Sequence, residues 1–150
     1  ELKLEVKLLN DELNSGIQIR SGMSDVKNGE RSKRVVGPQV EISATGTEGN
    51  KKSGYIWFEA DKSQRGWMNP NEDVVPHNNF NDGKWNTFRV VAKGATISTW
   101  INGKKIGIVT DVGKFRTYRK GFIGLQVHQL KQGETGPYQV AWRNIRIRAL

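Results

Sequence analysis

Two side chains in this sequence have the chemistry of a proton-transfer pair. Glu41 and His128 each lie in a stretch typical of a β-strand, on the polar side of its alternation. Histidine titrates near neutral pH, while a carboxylate can be kept ionised by a neighbour such as Arg20 or Gln39, or made more basic by burial. Their chemistry makes Glu41 and His128 candidates for a catalytic acid and base, with their individual roles open. A structural hydrogen-bond pair is the alternative interpretation.

Polar and aromatic side chains on the same kind of strand add the features of a sugar-binding surface. Such a surface combines hydrogen-bonding groups for the ring hydroxyls with an aromatic face that covers the C–H groups of the sugar. We expect these contacts from Arg20, Gln39, Gln126, Trp57 and Trp67. Core packing is the alternative for Trp57 and Trp67. It is the expectation for Trp85, Trp100 and Trp142.

No cofactor is predicted from the sequence. Imidazole and carboxylate groups suit zinc or manganese, so Glu41 and His128 with a third oxygen ligand would form a metal site. No HxH or HExxH spacing accompanies them, and the chain has no cysteine, which excludes disulfides and thiolate ligands. A divalent metal is therefore an alternative and not the prediction.

Three stretches must position these side chains, and all three alternate with a period of two. They are SGIQIRS (15–21), VGPQVEIS (36–43) and GFIGLQVH (121–128). Successive side chains of a strand point to opposite faces of its sheet. In the last stretch we expect Ile123, Leu125 and Val127 in the core, and Gln126 and His128 on the opposite face. The pattern predicts a sheet with one polar outer face.

The rest of the chain also predicts strands and turns without a long helix. Asn102-Gly103 predicts a hairpin with a type I′ turn, because both central residues of that turn need positive φ. Segment 22–37 is expected to be a mobile loop, 61–81 a packed functional loop that carries Trp67, and 111–120 a basic linker. We therefore expect one domain over residues 1–150, an all-β antiparallel β-sandwich of the jelly-roll or concanavalin-like type.

Composition and charge limit the kinds of partner. The formal net charge is +9, but the basic residues are scattered through turns and the last strand, without a nucleic-acid-binding motif. No window approaches the roughly 20 apolar residues of a membrane-spanning helix. We expect a small sugar or glycoside as ligand, no nucleic acid and no membrane span, and the oligomeric state is open. Because strand-like sequence begins at Glu1, we expect a longer precursor.

Six segments of the chain, in order, resemble one known family. They are NSGIQIRS, GPQVEI, FNDGKWNTFRVVAKG, TWINGKKI, GFIGLQVH and WRNIRIRAL. Together they span nearly the whole chain and resemble the 3-keto-disaccharide hydrolase domain family, whose usual N-terminal segment is missing from this sequence. The resemblance implies a concanavalin-like sandwich with a sugar on its concave sheet. It also implies activity on 3-keto-glycosides and a periplasmic or extracellular bacterial location.

The implied activity gives the candidate residues specific roles. A ketone at C3 acidifies the C2–H bond, so a base can remove this proton while the bond from C1 to the leaving oxygen breaks, and water adds afterwards. Glu41 and His128 would be the acid and base, and Arg20 would stabilise the enolate at the C3 oxygen. A non-catalytic carbohydrate-binding (lectin-like) module is the alternative function, and a structural adhesion domain is a third, since a fold does not determine an activity.

Overall fold

Ten strands, a 3₁₀ turn and one short α-helix make up the described part of this computed structural model, residues 1–10, 13–24, 34–44, 51–60, 64–128, 133, 136 and 138–150. The strands are β1 (Leu2–Leu8), β2 (Asn14–Met23), β3 (Val35–Ser43), β4 (Ile56–Glu59), β5 (Gly66–Trp67), β6 (Asn86–Lys93), β7 (Thr96–Ile101), β8 (Lys104–Thr110), β9 (Phe122–Leu125) and β10 (Val140–Ile147). The 3₁₀ turn is Asn71–Asp73 and the helix, α1, is Val112–Thr117. No helix among these residues is long and apolar enough to cross a membrane.

The strands form two antiparallel five-stranded sheets that pack as a sandwich. We call β5-β4-β3-β2-β9 the front sheet and β10-β1-β6-β7-β8 the back sheet. The core lies between them because alternate residues of each strand are apolar: Ile17 and Val40 of the front sheet and Val6 and Phe88 of the back sheet are fully buried. This confirms the predicted all-β antiparallel sandwich and leaves the outer face of the front sheet free for polar side chains.

Turn chemistry and the second long loop follow the sequence closely. Asn102 and Gly103 have φ values of 51° and 85° between β7 and β8, which confirms the type I′ hairpin. The segment after β4 is packed, since Asn69 Oδ1 accepts from Ile56 N at 2.7 Å and its Nδ2 donates to Ile108 O at 3.1 Å. Asn69 therefore joins this segment to both sheets.

Several expectations about the ends of the predicted loops need correction. β2 continues to Met23 and β3 begins at Val35, so segment 22–37 is partly strand, and its expected mobility concerns residues 25–33, outside the described residues. Residues 111–120 contain α1 instead of a plain linker. The helix begins where Asp111 Oδ1 accepts from Lys114 N at 2.8 Å, a side-chain cap that a six-residue helix needs.

Three apolar side chains expected in the core are partly or largely exposed. Ile123, Leu125 and Val127 keep 40%, 37% and 82% of their surface exposed. The prediction was wrong because β9 ends at Leu125 and is an edge strand that pairs with β2 alone among the described strands. An edge position leaves the inward side chains of a strand covered from one side only.

Two tryptophans expected in the core lie instead on the outer face of the back sheet. Trp100 lies under the Arg89 guanidinium, 4.3 Å from its ring centroid, and Trp85 lies under Arg143 at 4.0 Å. Trp142 does pack against the core, as expected. Tryptophan is large and readily covered by a cation on an open sheet face, so its type alone does not indicate burial.

Candidate functional site

A cavity of about 260 Å³ opens on the outer face of the front sheet; we call it the front cavity. Six of the seven predicted site residues line it: Gln39, Glu41, Trp57, Trp67, Gln126 and His128. Asn14, Glu59 and Arg65 complete the described lining. Its size lies just below the roughly 300–1,000 Å³ of pockets that enclose drug-sized ligands, which suits a single sugar ring.

Strand register brings the lining residues together from distant parts of the chain. Gln39 of β3 lies opposite Trp57 of β4, which lies opposite Trp67 of β5. On the other side of β3, Glu41 lies opposite Gly16 of β2. Residues that are directly opposite in an antiparallel pair face the same side of the sheet. Glu41 is therefore surrounded by Asn14, Gln39 and Trp57, and the residues that follow β9 line the cavity with them.

Gly16 makes room for the side chain beside Glu41. A Cβ atom at position 16 would lie 2.5 Å from Gln39 Cδ, so the Gln39 side chain lies flat across β2 at this point. From there Gln39 Nε2 donates to Glu41 Oε2 at 2.9 Å, and Asn14 Nδ2 donates to Oε1. Both carboxyl oxygens of Glu41 thus accept hydrogen bonds from uncharged amides.

Burial dominates the electrostatics of Glu41. Loss of solvent raises the pKa of Glu41 from 4.5 to about 7, although the hydrogen bonds from Asn14 and Gln39 and the charge of His128 act to lower it. Glu59, a second carboxylate at the cavity, raises this pKa slightly. Glu41 therefore keeps its proton to higher pH than an exposed carboxyl group and can exchange it near neutral pH.

Two tryptophans form one wall of the front cavity. The Trp57 and Trp67 rings meet edge to face, with centroids 5.2 Å apart at 83°, and Tyr55 packs against Trp67 at 6.5 Å. Both tryptophans are partly exposed and lie outside the hydrophobic core. Trp57 and Trp67 thus line the front cavity instead of packing in the core, and their contact with a sugar stays a prediction.

Gln126 is held at the front cavity by its backbone. Its backbone N–H donates to Gly16 O at 2.9 Å, and its backbone oxygen accepts from the Ser15 hydroxyl at 2.8 Å, which fixes the residue beside β2. Among the described residues, its buried Oε1 atom has no hydrogen-bond donor.

Arg20 is the one predicted site residue that lies elsewhere. Its guanidinium donates to Gly94 O at 2.7 Å and to Ala92 O at 3.1 Å, and lies 5.0 Å from the Phe115 ring centroid. Its φ of 51° and the register shift after Gln18 mark a β-bulge, which turns Arg20 off the polar face. The expected contact of Arg20 with Glu41 is therefore absent, and Arg20 does not line the front cavity where a sugar or an enolate would lie. Instead, Arg20 joins β2 to the back sheet.

A second cavity, of about 480 Å³, continues from the front cavity along the strands; we call it the side cavity. Glu59 and Gln126 line both cavities, and the side cavity is otherwise lined by Gln18, Arg34, Val35, Gly124, Leu125 and Val127. Arg34 pairs with Glu59 at 3.5 Å where the two spaces meet. Gly124 forms part of the floor of the side cavity, and a Cβ atom there would lie 3.4 Å from Gln18 Cβ. A larger residue at this position would therefore fill part of the cavity.

The sequence reasoning missed three lining residues, and they differ in whether the sequence carries a signal for them. Glu59 alternates with Trp57 in GYIWFEA and could have been included on that pattern. Asn14 stands two positions before Gly16 in the same strand, another signal of period two. Arg65 lies in a segment without periodicity and left no signal.

The described residues show limited capacity for a metal. No group of three His, Cys, Asp or Glu side chains among them is placed to hold an ion. Glu41 and His128 would supply two ligands, so a bound metal would need further ligands from water or substrate. A metal at this site is neither required nor tested by the geometry.

Comparison with known proteins gives the chain a family. A family model described as 3-keto-alpha-glucoside-1,2-lyase-like domain matches residues 1–148. A search of the curated proteins finds no match. The matched family is the one that the six sequence segments resemble, and the match covers nearly the whole chain. This protein therefore belongs to the 3-keto-alpha-glucoside-1,2-lyase-like domain family.

Proposed function

We propose that this protein is an enzyme that cleaves 3-keto-glycosides in the front cavity, by elimination followed by addition of water. The observation that carries the proposal is the Glu41 carboxyl group, which lies within a sugar-sized cavity and whose pKa burial raises to about 7. Membership of a 3-keto-glucoside lyase-like family makes a substrate with an acidic C2–H the natural partner of such a base.

Glu41 acts as the base in this proposal. Its carboxylate takes the C2 proton, and the electron pair of that bond forms an enolate with the C3 ketone. The enolate then returns as the ketone, a C1–C2 double bond forms, and the C1–O bond breaks. A carboxylate with a pKa near neutrality is a stronger base than an exposed one and still has an ionised fraction to react.

His128 acts as the acid. It lines the same cavity, and its charge lowers the pKa of Glu41, so the two groups are close enough to interact electrostatically. As the C1–O bond breaks, His128 gives a proton to the leaving oxygen. Water then adds across the double bond, with hydroxyl at C1 and hydrogen at C2, and the sum of the steps is hydrolysis of the glycoside.

The remaining lining residues would bind the sugar. The Trp57 and Trp67 wall offers aromatic surface for the C–H groups of the ring, and the amide of Gln126 lines the same cavity. The side cavity begins at Glu59 and Gln126, so a group attached at C1 can extend into it. We assign the ring that is deprotonated to the front cavity and the leaving group to the side cavity.

The test follows the C2 proton as well as sugar release. Methyl and aryl 3-keto-glucosides are incubated in D₂O with the wild type, Glu41→Gln, His128→Ala and, as a matched control, Glu5→Gln on the back sheet. We expect turnover and C2 deuteration with the wild type and with Glu5→Gln. Glu41→Gln is expected to lose a factor of about 10²–10⁴ in kcat while still binding substrate.

The same experiment separates the competing functions. A folded wild type that neither releases sugar nor exchanges the C2 proton, but binds the glycosides, would replace the enzyme by a carbohydrate-binding module. A folded wild type without binding would leave an adhesion domain. Parallel assays with a chelator test for a divalent metal, since loss of turnover that added metal restores would bring an ion into the mechanism.

A periplasmic or extracellular location is also part of the proposal. It rests on the resemblance to a family found in exported proteins. Fractionation of cells that produce the native protein tests it, and recovery in the cytoplasm alone would refute it.

A further inference from the structure

A chain of hydrogen bonds runs through buried side chains of the front sheet and ends on Glu41. The Ser21 hydroxyl donates to Gln18 Oε1 at 2.7 Å, and Gln18 Nε2 donates to Gln39 Oε1 at 2.5 Å. Gln39 Nε2 donates in turn to Glu41 Oε2 at 2.9 Å. Ser21, Gln18 and Gln39 are only 1%, 4% and 3% exposed. We call these three residues the amide chain.

Every bond of the amide chain points toward the carboxylate. A side-chain amide accepts at its oxygen and donates at its nitrogen, and an ionised carboxylate only accepts. Because Gln39 presents its nitrogen to Glu41, its oxygen faces Gln18. Gln18 must then present its own nitrogen and turn its oxygen to Ser21. The orientation of the Gln39 amide is thus coupled to residues further along the sheet.

Two glycines make space for this arrangement. Gly16 lies beneath the Gln39 side chain, where a Cβ atom would approach Gln39 Cδ to 2.5 Å. Gly37, with φ of 138°, does the same for Ser21, since a Cβ there would lie 2.6 Å from Ser21 Oγ. The backbone therefore holds the two side chains in place, while hydrogen bonds determine which end of each amide faces which neighbour.

We propose that Gln18 and Ser21 are positioning residues for Glu41: they hold the Gln39 amide with its nitrogen on the carboxylate and so keep that carboxylate available as a base. The inference rests on the proposed function for its role in catalysis. The structural part of the inference does not depend on the function. It states that Gln18 and Ser21 act on Glu41 through Gln39, and it rests on the hydrogen-bond geometry.

The amide chain opposes the effect of burial without adding charge. Burial raises the pKa of Glu41 and the Gln39 donor lowers it. If Gln39 turned its oxygen to Glu41, the carboxyl would have to carry a proton, and the base would be lost. The other groups facing Glu41 are Asn14 on β2, His128 beyond β9, Glu59 on β4 and Arg65 before β5, and the variants below leave all four unchanged.

The experiment measures the pKa of Glu41 directly, by ¹³C NMR of protein labelled at glutamate carboxyl carbons. The Glu41 signal is assigned by its loss in Glu41→Gln, and the readout needs no turnover. We expect Gln39→Met to raise the pKa of Glu41 by about one pH unit, because its donor is lost. Gln18→Met should raise the pKa by about half of that, because without Gln18 the amide of Gln39 turns its oxygen to Glu41 for part of the time. Ser98→Ala, a buried serine of the back sheet, is the control and should leave the pKa unchanged.

A double variant decides whether Gln18 acts through Gln39. In the Gln39→Met background, Gln18→Met should cause no further rise, since the amide that it orients is gone. An unchanged pKa in Gln18→Met, or the same rise in both backgrounds, overturns the proposal. If Gln18→Met does not fold, Ser21→Ala takes its place under the same two criteria. Where turnover is found, the acidic limb of the kcat/KM profile should move upward with the pKa. Absence of turnover on its own refutes the proposed function and leaves the pKa result standing.

Discussion

The outer faces of the two sheets carry carboxylates whose pKa values are shifted in opposite directions. On the back sheet Glu5 accepts from Arg143 at 2.6 Å, and Arg143 lies over the Trp85 ring; these groups are open to solvent. On the front sheet Glu41 accepts from two amides inside a cavity. The hydrogen bond from Arg143 lowers the pKa of Glu5, whereas burial raises the pKa of Glu41.

The difference shows what distinguishes a reactive carboxylate from a structural one on strands with the same alternation. A cationic partner neutralises a carboxylate and makes it a weak base. Amide partners position a carboxylate without neutralising it, so the cost of burial remains in its pKa. The front sheet therefore carries a carboxyl group that can exchange protons near neutral pH, whereas the lowered pKa of Glu5 keeps that carboxylate ionised on the back sheet.

The largest expected effect is on the pH dependence of stability. Native Glu41 retains a proton that the unfolded chain loses above about pH 4.5, so its contribution to stability is present at low pH and is lost as pH rises to about 7. Compared with Glu41→Gln, the wild type should lose up to about 3 kcal/mol of unfolding free energy over this range. Urea denaturation at a series of pH values measures it.

Glu5→Gln is the matched control for that measurement and should show the opposite sign. Because the pKa of native Glu5 is lowered, its stabilising effect is present above its unfolded pKa and is lost as pH falls. Parallel stability curves for the wild type and Glu41→Gln would show that Glu41 titrates normally, and the contrast between the sheets would disappear.

A smaller effect is expected from the aromatic wall. Trp57→Ala should weaken binding of methyl 3-keto-glucoside about tenfold, since about 1.4 kcal/mol of ring contact is removed. Trp100→Ala removes the same side chain from the back sheet and should not change affinity. Calorimetric titrations in the Glu41→Gln background avoid turnover. Equal losses in both variants would mean that the wall does not contact the sugar.

The smallest effect concerns the leaving group. Gly124→Val would raise the floor of the side cavity against Gln18, so KM for aryl glycosides should rise about fivefold while KM for the methyl glycoside stays unchanged. Gly22→Val is the control, because a Cβ atom there has no neighbour within 4 Å. An unchanged KM for the aryl glycosides would place the leaving group outside the side cavity.

Much of the site was predictable because it depends on alternation. Gln39 and Glu41 must face one side because β3 is regular between them, and the turn chemistry of Asn102-Gly103 set one hairpin without ambiguity. Two-residue periodicity is a local property of the chain. The sandwich followed from many such stretches and the absence of a helical period.

The rest depends on features that no local pattern carries. Positive φ at Arg20 is rare for a residue with a Cβ atom, so the bulge could not be read from SGIQIRS. Exposure of Ile123 follows from the edge position of β9, which is decided by the order of strands in the sheet. The raised pKa of Glu41 needs the surrounding strands in place before burial can act.

The bulge at Arg20 adds one residue to β2, so the side chains after it lie on the opposite face from the one that simple alternation predicts. In an unbroken strand, Gln18 and residue 20 would share the outer face and Ser21 would point inward. The inserted residue moves Arg20 to the rim and brings Ser21 back beside Gln18, where its hydroxyl reaches the amide. The faces of Arg20 and Ser21 therefore depend on the bulge as much as on the identities of the two residues.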